Sequence, residues 1–164
     1  VVSNQKAVLS WLRQEPVRKR SGHVFSEGPT VYSYGYHFPM ATFHDRNGTR
    51  YALMTHRRYS QSTACHLSIV GSALRDIPVL CVYDPTATNH EKNVACELGK
   101  YQAVVQKFRR ARRLKAYWLA ELEEIGTRLH AYCDLFGLKR QALLTPQDRQ
   151  RFEVELIGYR LLAA

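Results

Sequence analysis

The sequence predicts an α+β fold, with a small antiparallel sheet from the N-terminal half packed with a long basic amphipathic helix and a C-terminal helix. Three observations carry this reading. Apolar residues alternate with a period of two in the stretch before Thr55. Asn47-Gly48 stands inside that stretch as a hairpin signal. From Val94 to Phe136 apolar residues recur every three or four positions, the spacing of one buried helix face.

The elements follow in order. Ser3 or Asn4 is placed to cap a first helix through Gln14, with Val8, Trp11 and Leu12 as its stripe and Pro16 as its stop. Arg18-Lys19-Arg20 forms a basic connector. Val24 and Phe25 precede a turn at Glu27-Gly28-Pro29. Tyr32, Tyr34, Tyr36 and Phe38 then alternate with Ser33, Gly35 and His37, which puts four aromatics on one face of a strand. Gly35 signals a bulge or a close backbone approach there. Asn47-Gly48 should reverse the chain, so that Thr49 to Thr55 returns antiparallel.

Ser60 to Thr63 reads as a helix start, and His66, Leu67, Val70 and Leu74 give a helix over about 63–74. Ile77 to Tyr83 is a short apolar run with the look of a buried strand, closed by Asp84-Pro85. Thr88-x-x-Glu91 has the capping-box form. The stripe beyond it runs through Val94, Leu98, Tyr101, Val105, Phe108, Ala111, Leu114, Trp118, Leu122, Ile125, Leu129, Tyr132 and Phe136. It predicts one long helix, or two broken near Gly126, stopped at Gly137. Thr145-Pro146 opens a last helix through Phe152, Leu156, Tyr159 and Leu162.

A chain of 164 residues fits one domain, 1–164, with a strand-rich part at 1–85 and a helical part at 86–164. Its 45% hydrophobic and 23% charged residues exclude a disordered chain. Apolar runs fall short of the roughly 18 residues of a membrane span, and Lys6 and Arg13 interrupt the early apolar residues that a secretory signal would need. Cys65, Cys81, Cys96 and Cys133 are far apart and flanked by apolar residues, which predicts four buried, reduced thiols and a cytoplasmic location. Structural zinc sites bring ligands in close pairs, and Cys65, His66, Cys81, His90 and Cys96 lack that spacing. Neither a metal nor a cofactor is expected.

The formal charge of +10, with 24 basic and 14 acidic residues, is the footprint of a polyanion partner. It is sharpest in Lys100, Lys107, Arg109, Arg110, Arg112, Arg113 and Lys115, a block that contains no acid. Arg109 and Arg113 stand four apart, a spacing at which like charges on a helix repel by a few tenths of a kcal/mol, about 0.2–0.5. A phosphate backbone relieves that repulsion and releases counterions. These seven residues, with Arg18, Lys19 and Arg20, are the candidate nucleic-acid contacts; a solvated basic face is the competing reading. Tyr32, Tyr34 and Tyr36 are candidates for stacking unpaired bases, against the alternative that they are core. His37, His44, His56 and His66, with Arg57, Tyr59 and Ser60, offer the raw material of an acid–base site, but no catalytic residue is assigned.

Tyr32-Ser33-Tyr34-Gly35 followed by Tyr59-Ser60-x-Ser62-Thr63-x-x-His66 resembles a pattern in small proteins of phages and mobile elements. Those also carry a Trp-Leu helix, here Trp11-Leu12, and a Ser-Gly before the first strand, here Ser21-Gly22. The resemblance covers about the first half and brings no activity with it. It implies a phage setting, in which small proteins often bind host machinery. The functional expectation is a non-enzymatic, phage-type accessory protein that holds RNA or DNA backbone through a basic helix. An inhibitor or adaptor acting on a host nucleoprotein is the alternative, and a small metal-independent nuclease using His37, His56 or His66 the third. No membrane partner is expected, and the sequence leaves the oligomeric state open.

Overall fold

The computed structural model describes residues 3–15, 22–113, 115–140 and 143. Pro16, Arg18, Lys19, Arg20, Ser21, Leu114 and the helix expected after Thr145 lie outside the described residues. The fold is α+β. Its elements are α1 (Asn4–Leu12), β1 (Val24–Glu27), β2 (Thr30–Ser33), β3 (Gly35–Arg46), β4 (Thr49–Thr55), α2 (Gln61–Ala73), β5 (Val79–Val82), α3 (His90–Arg110) and α4 (Lys115–Phe136). Two compact units divide between Asn93 and Val94.

In the first unit the five strands lie in the order β1-β2-β3-β4-β5. The first four form an antiparallel meander, and β5 joins β4 in parallel through the α2 crossover. The sheet is therefore mixed rather than wholly antiparallel, because a helix instead of a tight turn links β4 to β5. Asn47 and Gly48 both take positive φ, 50° and 76°, as a two-residue turn matched to strand twist requires. β5 is an edge strand of which only Val82 is buried, so the expected buried strand is corrected; Val79 is 40% exposed.

One core joins α1 and α2 to the sheet: Val8 and Trp11 from α1, Leu67 and Val70 from α2, and Val24, Val31, Phe38, Ala41, Phe43 and Ala52 from the strands. Trp11 stacks on Phe43 at 4.3 Å and donates its Nε1–H to the Pro29 carbonyl at 2.8 Å. The Ser3 hydroxyl caps α1 by accepting from the Lys6 N–H. The helix ends two residues earlier than the spacing implies. Gln14 takes φ 54°, and the Glu15 N–H reaches back to the Ser10 carbonyl, a left-handed helix stop made before Pro16 is reached.

The strand with four aromatics on one face does not form. Tyr34 takes φ 60° and separates β2 from β3, so that Ser33 pairs with Gly35 across a one-residue reversal. A Cβ at Gly35 would meet Nδ1 of the exposed His37 ring at 2.8 Å, so that ring would have to move. The register also shifts on either side of Tyr32.

Only Cys133 of the four free cysteines is buried; Cys65 and Cys81 are exposed and Cys96 is half-buried. Cys65 falls on the outer side of α2 and Cys81 on the edge strand, where apolar flanking residues do not guarantee burial. The cap of α3 also differs from the expected box. The Asn89 side chain accepts from the Lys92 N–H, while the Thr88 hydroxyl turns to Asp84. Asn93, 1% exposed, clamps the approach to α3 by bonding both the N–H and the carbonyl of Asp84, at 2.7 and 2.9 Å.

In the second unit the chain breaks at Ala111–Arg113 and not near Gly126. Tyr101, Val104, Val105 and Phe108 of α3 pack against Leu122 and Ile125 of α4, with Trp118, Leu119 and Leu143 at the margin. The seam is buried by folding back on itself, and the reversal falls where like charges crowd. Gly126 stays helical because its missing side chain makes room: a Cβ would stand 2.9 Å from Leu143 Cδ1 and 3.7 Å from Tyr101 Cε2. Gly137 ends α4 at φ 65°, with the Leu138 N–H on the Cys133 carbonyl, as expected. No helix among the described residues is long and apolar enough to cross a membrane.

Trp11→Ala should cost about 3–5 kcal/mol of stability, and Trp11→Phe about 1 kcal/mol through the lost Nε1–H bond, since the Pro29 carbonyl keeps the Phe43 N–H. Urea denaturation should show lower midpoints with an unchanged slope; equal midpoints for the wild type and Trp11→Ala would contradict the placement of this ring.

Candidate nucleic-acid interface

The basic block meets the structure at the tip of the α3–α4 hairpin. Lys107, Arg109 and Arg110 occupy the last turn of α3, Arg112 and Arg113 the connection, and Lys115 the start of α4. Lys107, Arg109, Arg110, Arg112 and Arg113 are exposed, and Lys115 is half-buried. Lys107 holds its Nζ over the Trp118 ring at 5.3 Å, and Lys115 over Phe108 at 5.2 Å, so their stems cover the seam while their charges stay at its rim. Tyr117, 56% exposed, stands beside them and meets Trp118 edge-on.

Lys100 belongs elsewhere. It pairs at 2.5 Å with Glu97, which is 4% exposed, and Arg128 approaches the other Glu97 oxygen at 3.5 Å. A buried carboxylate needs such partners, because an unpaired one costs several kcal/mol, about 3–5. Arg128 also pairs with Glu124. Lys100 thus serves the inside of the helix pair, and the candidate contact surface contracts to residues 107–115.

Stability accounts for part of this surface. Cations in the last turn of a helix face its negative end favourably, by about 0.3–1 kcal/mol each. That explains Lys107, Arg109 and Arg110, but not Lys115, since the first turn of α4 holds a cation and no acid. Nor does it explain Arg112 and Arg113, which lie between the helices.

The three tyrosines expected to stack bases do not share one platform. Tyr32 is half-buried and stacked on Phe25 at 5.2 Å. Tyr36 meets both of those rings edge-on, and its hydroxyl donates to Glu27. Tyr34 keeps other company, 4.6 Å from the His23 ring and 5.4 Å from His66. The left-handed turn at Tyr34 sends it away from its two neighbours.

The histidines also disperse. His44 stacks on Tyr51 and bonds the Pro85 carbonyl, His56 meets Tyr83 edge-on, and His37 is exposed. His66 is buried, with Nδ1 at 2.8 Å from Ser33 Oγ and Nε2 at 2.9 Å from the Asn4 amide nitrogen. Ser33 is 0% exposed, so this serine–histidine pair is closed to solvent. It ties α1, β2 and α2 together. With the Asn4 amide donating to Nε2, the neutral ring carries its proton on Nδ1 and donates to Ser33.

A further cluster surrounds Arg57. Its guanidinium lies over the Tyr83 ring at 4.7 Å and over Phe38 and Tyr59 at 5.7 Å, and Lys92 lies over Tyr83 at 4.7 Å. The sequence pattern singles out Arg57 and Tyr59 but not Tyr83 or Lys92. Those two are separated from Arg57 by the α2 crossover, and only the parallel pairing of β5 brings them in.

Burial, and then the neighbouring His23, hold the His66 pKa below its ordinary 6.5. The unfolded chain therefore binds the extra proton first. The stability from neutral His66 is complete above about pH 6.5 and is lost as pH falls from there through the lower folded value. Thermal midpoints measured from about pH 7 to about pH 5 should decline more steeply for the wild type than for His66→Gln; parallel profiles would contradict this role.

No protein-family model, curated protein or solved structure matches the chain.

Proposed function

We propose that the protein binds nucleic-acid backbone, RNA or DNA, through the tip of the α3–α4 hairpin, and acts by binding rather than by catalysis. The observation that carries this reading is the cationic turn: Arg112, Arg113 and Lys115 stand at the entry to α4, where helix stability favours acids. Lys107, Arg109 and Arg110 widen the same surface. Exposed arginines on a turn between two helices suit phosphate contact, which positions a protein on a strand without reading its bases. The motif that joins Tyr32–Gly35 to Tyr59–His66 favours a phage-type accessory protein working in the host cytoplasm. Ser33 and His66, one from each part of that motif, bond to each other.

Reversing Arg109, Arg110, Arg112 and Arg113 to Glu should abolish gel-shift binding of a labelled duplex. Milder Arg→Gln changes at the same positions should lower the salt slope by about 0.9 for every phosphate no longer neutralised. Unchanged affinity in the fourfold reversal would sink the reading. Recovery of one host protein in a pull-down after nuclease treatment would favour the inhibitor or adaptor instead.

A further inference from the structure

Parallel strands present their carboxyl ends together, and ligands of open sheets with parallel strands gather outside those ends. Among the described residues one such pair is present, β4 and β5. Beyond Thr55 the chain runs through His56, Arg57, Arg58 and Tyr59 to the Ser60 cap of α2, and beyond Val82 it runs through Tyr83. The two exits are bonded to each other: the His56 N–H donates to the Val82 carbonyl, and the Thr55 hydroxyl to the Tyr83 carbonyl. The N-terminus of α2 opens at the same place, so its partial positive charge adds to that of the side chains.

We propose that Arg57, Arg58, Tyr59, Tyr83 and Lys92 form a binding site for one unpaired nucleotide of a single strand, its base against Tyr59 and its phosphate on the cations. Among the described residues Arg57, Arg58 and Lys92 have no carboxylate partner. Asp84, next to Tyr83, bonds Thr86 and Thr88 rather than these cations. Arg57 and Lys92 thus meet at the Tyr83 ring with no ion-pair partner among the described residues, and Arg58 is exposed next to Arg57 in the chain.

The aromatic part is as specific. Tyr59 is 66% exposed, while Phe38, against whose ring it rests at 5.0 Å and 70°, is 1% exposed. A tyrosine serving only as core would bury its ring, as Phe38 does. Arg57 is aimed as well as charged: its Nε–H points to Thr55 Oγ1 at 3.4 Å and its Nη1 to the Tyr59 hydroxyl at 3.3 Å. A positioned guanidinium beside an exposed, braced ring matches the two halves of a nucleotide, a flat base and an anionic link. A duplex hides its base faces and offers nothing to Tyr59.

This site rests on the nucleic-acid reading above and adds to it a preference for unpaired strands. The test is a fluorescence-anisotropy titration of the full chain against labelled oligo-dT and against a labelled duplex. The variants are Tyr59→Leu, Tyr59→Trp and Arg58→Ala, whose positions are exposed, with thermal midpoints to confirm that each still folds. Tyr59→Leu should weaken oligo-dT binding about five- to a hundredfold and leave the duplex unchanged. Tyr59→Trp should retain oligo-dT binding, and Arg58→Ala should weaken it with a shallower salt dependence. Equal losses on both probes, or no loss on either, would overturn the site. If the fourfold arginine reversal leaves binding intact while Tyr59→Leu removes it, the hairpin-tip reading fails and this one stands. If the reversal abolishes duplex binding and Tyr59→Leu changes nothing, only this one fails. A wild type that binds neither probe ends both.

Discussion

The contact between the two halves of the apolar seam sets the character of the second unit. Tyr101, Val104, Val105 and Phe108 meet Leu122 and Ile125, and that meeting demands a reversal of the chain. Once the reversal is placed at Ala111–Arg113, the cations on either side of it are carried to one end. The same sequence in one straight helix would spread those charges along about 12 Å, at 1.5 Å per residue, and around its circumference. Hydrophobic burial thus concentrates charge, and apolar contact offsets the electrostatic cost of crowding. Lys100, paired with the buried Glu97, lies well back from the turn.

The first unit depends on a polar node instead. His66 reaches Ser33 with one nitrogen and Asn4 with the other, so one side chain of α2 holds both a strand and a helix. Apolar contact between α1, α2 and the sheet supplies most of the burial, but such contact tolerates sliding. A ring bonded through both nitrogens does not, and a buried polar group that loses its partner costs about 1–3 kcal/mol. The node thereby fixes the register of α2, and through it the position of the Ser60 cap and the residues just before it.

Much of this was legible in the chain. The Asn47-Gly48 turn, the Ser3 and Ser60 caps, the Gly137 stop and the seam itself are local signals, each complete within a few residues. What was not legible involves competition between distant parts. The spacing of the seam is the same in one helix as in two, so periodicity could not locate the break, and Gly126 drew attention that belonged to Arg112. Tyr34 in a left-handed turn contradicts its own preference, and nothing in the alternation around it announces the reversal. The Thr88 box and the Asn89 cap are one residue apart, and the choice is made by Asp84, which occupies the threonine. The histidines lie close in sequence, yet His37 and His44 on β3, His56 just past β4 and His66 on α2 have different surroundings. The Arg57 cluster needed the β5 register before Tyr83 could join it.

The crossover that places β5 also gives the first unit an order of assembly. The first four strands are linked by turns of a few residues, and their contacts close short loops. Pairing Ala52 with Val79 requires the whole of α2 to be in place, and the entropy of closing a loop rises with its length. The meander can form on local contacts, while β5 docks late and, as a four-residue edge strand, is the first to leave. Residues 56–59 depend on it in part: the His56 N–H is held by the Val82 carbonyl, and Arg57 lies over the Tyr83 ring just beyond β5. That part of their arrangement is lost whenever the strand lifts.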